Sequence, residues 1–324
     1  MNELGAHIEL LRALSKPGEC LAVDAPTATI KNPDWFRSRD GQLFVRSTRK
    51  RLHNRLIQEA RAAARSVESN RQAFVFAGPP GAGKSYAKAQ ILADQQKAFL
   101  HVDPDHFKTE ILRHALSDGT YESWIKPPRI LELEEQGHRF FPLELASLVH
   151  EESSRVARNL QRDVIADGDN LIIDGVLASE TNAVALGDQL AAADYAIHVV
   201  DVEVPYDVSA ARIRDRWQQA YADAIAGADP LGGRWVPSEY ARDVFDGPAG
   251  ISKPEHAAKA LAESCPSVLS YRRFRLTAAQ HAAGIAVPSE EEYLVRTHPG
   301  AQLLAPAAAR AHKAVRAFRD QERD

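Results

Sequence analysis

The sequence predicts an α/β fold: a doubly wound parallel sheet with helices on both faces, set between a helical N-terminal extension (1–70) and a mostly helical C-terminal extension (251–324). Three observations lead there. Apolar runs of strand length, QAFVFAG, KAFLHVD, NLIID and YAIHVVDV, alternate with segments of helical periodicity, the pattern of βαβ units whose parallel sheet is covered on both sides. The first run passes through a glycine loop directly into a helix-like stretch. The 324 residues, 44% hydrophobic and 26% charged, supply core for about two domains and argue against disorder as the main state.

In chain order, the helical prelude is clearest at 46–67, where Leu52, Leu56, Ile57, Ala60 and Ala64 recur on one side. Its position ahead of the central domain (71–250) makes an inhibitory role one expectation for it. From residue 72 the text reads strand, loop, helix, strand. Helices are expected around 143–167 and 180–192, before the strands at 170–174 and 195–202. A long helix over 205–226 gives way to GADPLGGRWVP, whose glycines and prolines mark a mobile loop. Beyond 250, SVLSYRRFRL (267–276) is strand-like and 305–322 helical, with no place on the sheet evident for either.

Composition narrows the partners. Lysine and arginine number 40, aspartate and glutamate 44, for a net charge of −4 and a sequence pI near 6.3. Such a chain has no global attraction for nucleic acid or an anionic membrane. Tyr271-Arg272-Arg273-Phe274-Arg275 is the one local basic and aromatic stretch, and an exposed edge strand explains it as well. Cys20 and Cys265 stand far apart, which excludes a disulfide framework and a cysteine zinc site and fits a reducing, cytoplasmic compartment. Glu3 and Glu9 fall where a signal peptide needs a basic start and an apolar core. No run reaches the roughly 18 apolar residues of a membrane span.

The strongest local signal is Gly78-Pro79-Pro80-Gly81-Ala82-Gly83-Lys84-Ser85, a G-x-x-x-x-G-K-[ST] loop between a predicted strand and a predicted helix. Its glycines let successive backbone N–H groups curl around a phosphate while the helix aims its positive end at the same anion. Lys84 then reaches the β- and γ-phosphates. Ser85 offers the hard oxygen that a phosphate-bound Mg²⁺ takes. Tyr86 follows within the same nucleotide-binding run. ATP with Mg²⁺ is the expected ligand. GTP suits the loop too, but no guanine-reading N-K-x-D string occurs.

The second strand ends in HVDPDHFK, which brings Asp103 and Asp105 to the carboxyl edge of the sheet. There a carboxylate accepts a proton from an attacking hydroxyl, or Asp105 caps the helix beginning near His106. Spacing leaves both open. On PLELASLVHEESSR, Glu144, Ser147, Glu151 and Ser154 lie on neighbouring turns beside Glu152, and a solvated face is the default for such glutamates. His150 reads as a surface or packing residue. Asp174, closing NLIID, is either a Mg²⁺ partner or a substrate-facing carboxylate. Among Arg212, Arg214, Arg216 and Arg234, only Arg234 sits in a glycine loop, as a lid arginine would.

Together these residues resemble the zeta-toxin kinases, P-loop phosphotransferases of bacterial toxin-antitoxin systems, over about 72–250. The marks are GPPGAGKS, VDPDHFK, ELASLVHEES, IIDG, and RW followed by LGGRWVP. The resemblance implies a P-loop kinase-like fold, with Asp105 as general base and Arg216 and Arg234 as lid arginines. It also turns Glu152, or its neighbour Glu151, toward the acceptor. The implied acceptor is a hydroxyl of UDP-N-acetylglucosamine or a similar small metabolite, and the implied partner is an antitoxin protein. Family members hold the sugar with Glu-Gly-Thr, where this chain has Asp174-Gly175-Val176. Losing a hydroxyl partner for a buried substrate group costs about 1–3 kcal/mol, so a different acceptor is an open expectation. The rival readings are a kinase of another hydroxyl (an antibiotic, a dinucleotide or a nucleic-acid end) and a nucleotide switch that transfers nothing.

Overall fold

The computed structural model describes residues 3–311. The chain divides into two compact units, each assembled from three segments. The first unit takes the residues up to Ala63, Asp103–Leu160 and Ala210–Ala241; the second takes Ala64–Val102, Gln161–Ser209 and the residues from Arg242 onward.

The first unit opens with helix α1 (Glu3–Leu14), strands β1 (Phe36–Arg39) and β2 (Gln42–Val45), and helix α2 (Ser47–Ala63). The second begins with β3 (Gln72–Ala77), α3 (Lys84–Leu92) and β4 (Leu100–Val102). Then follow α4 (Pro104–Asp118), α5 (Pro128–Glu135) and α6 (His150–Asp167). Next come β5 (Leu171–Asp174), α7 (Glu180–Ala192), β6 (Ala196–Glu203), α8 (Tyr206–Ile225) and α9 (Ser238–Asp243). The chain continues with α10 (Lys253–Ser264), β7 (Val268–Arg275), α11 (Ala278–Ala282) and β8 (Ser289–Val295). Among the described residues no helix is long and apolar enough to cross a membrane.

The second unit is built on a six-stranded sheet of order β4-β5-β3-β6-β7-β8, parallel except for β8, which runs antiparallel to β7. β3 lies between β5 and β6, and its register sets Phe76 beside Asp174 and Ala77 beside Asp201. Those aspartates therefore stand level with the start of the glycine loop, at the strand mouth where doubly wound sheets bind ligands. Alternation along β6 separates two faces. Val200 and Val202 join Phe76, Ala82, Ala87, Val208 and Phe274 in one core, while Glu203 meets Ser252 at the start of α10 on the other. Gly187 of α7 packs so closely on α10 that a Cβ there would lie 2.4 Å from Leu261 Cδ1. The expected α/β architecture with helices on both faces is what the chain adopts.

Two expectations change. The N-terminal segment is not helical throughout: Asp40 and Gly41, both at positive φ, turn the chain between β1 and β2, the conformation that a two-residue Asp-Gly hairpin turn requires. Among its described residues the C-terminal segment is not mostly helical either. SVLSYRRFRL becomes β7 beside β6, and β8 extends the sheet although its Glu290-Glu291-Glu292 run reads as polar surface. Those glutamates face the basic residues of β7, with Arg272 bonding Glu290 at 3.0 Å and Arg273 bonding Glu291 at 2.8 Å. Of the helix expected at 305–322, residues 306–311 are helical and 312–322 lie outside the described residues.

Candidate functional site

In the second unit the glycine loop leaves β3 through Gly78, whose φ of 136° belongs to glycine and whose Cα faces the backbone of β6. A Cβ there would lie 2.2 Å from the carbonyl oxygen of Val202. Gly83 takes the left-handed conformation at the N-cap of α3, with no side-chain cap, so the helix amides point into the loop as an anion site requires. Lys84 Nζ donates to the carbonyls of Gly78 at 2.8 Å and Pro79 at 3.2 Å. Ser209 Oγ donates to Pro80 O at 2.6 Å and steadies the outer turn. Gly81 also has positive φ, Ala82 is buried, and Ser85 and Tyr86 are exposed on the first turn of α3.

Asp174 ends β5 in the same unit, and its Oδ2 is taken by Lys88 Nζ at 2.9 Å, with His101 Nε2 3.4 Å away. Lys88 in turn meets His101 Nε2 at 3.2 Å. Burial pushes the Asp174 carboxyl up, but the His101 hydrogen bond and the charges of Lys84 and Lys88 outweigh it and hold the group well below the ordinary aspartate range. Asp174 is thus an anchored carboxylate whose Oδ1 is left by both partners. Lys88 and His101 were not anticipated, although Lys88 lies one helical turn past Lys84 on α3 and His101 sits on the strand next to Asp174. Val176 takes part through its backbone, accepting from Gly78 N at 3.2 Å.

In the first unit α4 resolves the choice at HVDPDHFK. Asp103 is the N-cap, its Oδ1 accepting from Asp105 N at 2.8 Å, and Pro104 opens the helix. Asp105 therefore does not cap. Its carboxylate is paired with Arg234 through Oδ2 and with Lys108 Nζ at 3.0 Å through Oδ1. Burial raises the Asp105 carboxyl, but the charges of Lys108 and then Arg234 exceed that effect and leave it below its ordinary value. Arg216 on α8 is held below the usual arginine value by desolvation and then by the charge of Arg234, with Asp105 pulling the other way. Burial and then Lys108 depress the His150 imidazole. One carboxylate among three cations is the result.

Two site expectations do not survive in this unit. Glu152, expected to face an acceptor, is fully buried: Arg49 clasps it at 2.5 and 2.8 Å, and His53 Nε2 lies 2.7 Å away. Burial raises this carboxyl, but Arg49 and His53 more than offset it and bring it to about 2. Arg49 stacks over Trp35 at 3.9 Å, so the prelude supplies Glu152 with its partners. Glu151 next door is exposed. The second correction concerns the loop of Arg234, expected to be mobile. Leu231, Gly232, Gly233 and Trp235 are all buried; a Cβ at Gly232 would come 2.3 Å from Phe141 Cβ, and one at Gly233 2.4 Å from Trp217 O. These glycines permit close packing rather than motion. Glu144, read as a solvated residue, is likewise buried.

Among the described residues no three carboxylate, histidine or cysteine side chains gather as a metal cage. The exposed Ser85 hydroxyl on the first turn of α3 is a hard oxygen of the kind that Mg²⁺ takes beside phosphate oxygens and water.

Residues 130–257 match the model of the zeta toxin family. The match takes in Asp174, Arg216 and Arg234, while the glycine loop and Asp105 precede it. No curated protein matches the chain by sequence. Among solved structures, the chain is similar to the AvrRxo1-ORF1:AvrRxo1-ORF2 complex with sulphate ions, at 16% identity and a TM-score of 0.53, covering 83% of this chain and 73% of that one. The same complex with ATP gives 15% identity, a TM-score of 0.52 and the same coverage. The PezAT toxin-antitoxin system of Streptococcus pneumoniae gives 13% identity and a TM-score of 0.47, over 77% of this chain and 82% of that one. Fold and loop define the class: a P-loop kinase-like α/β protein. The resemblance read from the sequence is upheld over residues 130–257, which are similar to the zeta toxin family.

Proposed function

We propose that the chain is an ATP-dependent phosphotransferase of the zeta-toxin type that moves the γ-phosphate to a hydroxyl of a nucleotide sugar or similar small metabolite. The observation that carries this reading is Asp105: its carboxylate is released from capping by Asp103 and lies among Arg234, Lys108 and the charge of Arg216. A helix cap or a nucleotide switch needs no such arrangement. Lys84 and the loop amides would hold the phosphates and Ser85 the Mg²⁺, which when bound would supply neutralisation of the phosphate charge. Asp105 orients the acceptor hydroxyl and receives its proton. Its depressed basicity is no obstacle, because in a loose transition state the proton leaves late and orientation matters more than basicity. Arg216 and Arg234 neutralise the charge growing on the transferred group. Asp174 and the exposed Glu151 serve the acceptor.

Val176 provides no hydroxyl, which favours an acceptor other than UDP-N-acetylglucosamine. A protein partner, as ORF2 is to ORF1 in the AvrRxo1 complex, belongs to the same reading, and an antitoxin is the one that the resemblance implies. The test is incubation with labelled ATP, Mg²⁺ and either UDP-N-acetylglucosamine or a bacterial metabolite extract, with Asp105→Asn as control. An Asp105-dependent phosphorylated product supports the proposal and its mass identifies the acceptor. ATP hydrolysis without any acceptor product overturns it in favour of the switch.

A further inference from the structure

Glu144 lies in the 3-10 helical stretch Pro142–Val149 between α5 and α6, is 1% exposed, and is the point on which three donors of the first unit converge. His7 Nε2 on α1 donates to its Oε1 at 2.9 Å, Trp217 Nε1 on α8 donates to the same oxygen at 3.1 Å, and Phe141 N donates to Oε2 at 2.8 Å. A buried carboxylate with three donors is fixed in position, since moving it strands polar groups away from water. Its neighbours connect directly to both arginines. Trp217 adjoins Arg216 in sequence, is 1% exposed, and has the ring of His7 stacked on it at 5.8 Å.

The Arg234 loop is moulded on the same parts. Leu143 N donates to Leu231 O at 2.9 Å and Trp235 N donates to Leu143 O at 3.2 Å, so the loop is pinned to the residue beside Glu144. Gly232 lies on Phe141, Gly233 lies on the Trp217 backbone, and Trp235 meets the Trp217 ring edge-on at 5.7 Å. Each residue flanking Arg234 is therefore fastened to a group that Glu144 holds.

We propose that Glu144, locked by His7, is a positioning residue that sets Arg216 and Arg234 through Trp217 and the 231–235 loop. The proposal rests on the phosphotransferase reading for the roles of the two arginines. It gives α1 a supporting part in the site.

The experiment compares the full-length wild type with His7→Leu, which removes the donor, His7→Gln, which retains one, and Trp217→Phe, which keeps an aromatic ring without the N–H. Amide hydrogen exchange and ATP-dependent transfer are both read. His7→Leu and Trp217→Phe are expected to speed exchange at Trp235 and its loop while the glycine-loop amides stay unchanged. They are also expected to lower kcat about tenfold or more with KM for ATP within about twofold, since misplaced groups cost rate before binding. His7→Gln restores both. Unchanged exchange at Trp235 overturns the proposal, and so does a rise spread evenly over the first unit without rescue by His7→Gln. If the wild type transfers nothing, the phosphotransferase reading fails, while the exchange data still decide whether Glu144 positions the loop.

Discussion

Arg234 closes an ion pair on one oxygen of Asp105 while Lys108 holds the other at 3.0 Å. The carboxyl lies below its ordinary value as a result, with burial opposing and the two cations prevailing. A depressed carboxyl contributes stability above its unfolded value and loses it only as pH falls through the lower, folded one. Asp105 therefore stays ionised across the physiological range. Transfer is expected to show no acid limb from this residue between about pH 5 and 8. Asp105→Asn should cut transfer by about 10²–10⁴-fold and leave nucleotide binding, measured by calorimetry, essentially intact.

The Lys88–Asp174 pair lends itself to a cycle of substitutions. Side-chain exposures of 10% and 14% place it largely out of water, so deleting the lysine alone leaves a carboxylate short of its donor. Lys88→Met is expected to cost about 1–3 kcal/mol in urea unfolding, and Asp174→Asn added to it should cost less than the sum of the single changes. Additivity would show that the two side chains do not interact in solution.

For Glu152 the sign is the same and the burial complete. Its carboxyl falls from the ordinary glutamate value of 4.5 to about 2, equivalent to about 3 kcal/mol at neutral pH that is lost as pH drops from about 4.5 toward 2. Arg49→Met removes the partner and leaves a buried charge, at a cost of about 3–5 kcal/mol, measured by chemical denaturation at pH 7. If Glu152 instead served an acceptor, Arg49→Met would change KM and leave the unfolding midpoint in place.

How far the sequence reached depended on range. The glycine loop, β3, β5, β6 and α7 were legible because their signals lie within a dozen consecutive residues. The choice between base and cap for Asp105 was local too, yet it turned on where the helix starts, at Pro104 rather than near His106, which spacing alone leaves even. Glu152 was misread because its partner Arg49 stands 103 residues earlier, and no pattern on α6 announces a cation arriving from α2. Gly232 and Gly233 carry the same ambiguity. Glycine permits both mobility and close approach, and only Phe141 and Trp217 on the other side of the gap decide which.

A buried acidic pair on β6 yields a prediction of opposite sign. Asp201 and Glu203 point to one face of the strand, 0% and 3% exposed, beside Arg273 and Arg275 of β7. Those arginines are already engaged: Arg273 by Glu255 and Glu291, Arg275 by the same two. Ser252 Oγ gives Glu203 a hydrogen bond at 2.8 Å, and Asp201 and Glu203 share a hydrogen bond with each other. Burial, reinforced by mutual repulsion, pushes Asp201 upward, and burial raises Glu203 to about 7. Between about pH 4.5 and 7 native Glu203 thus holds a proton that the unfolded chain has released, so stability falls as pH rises through that window. Glu203→Gln keeps the acceptor for Ser252 and removes the titration. It is expected to flatten this slope and, at pH 8, to be more stable than the wild type by about 1–3 kcal/mol. Urea midpoints at pH 5, 6, 7 and 8 check it, and parallel curves for the two proteins would mean that the pair does not carry the proton.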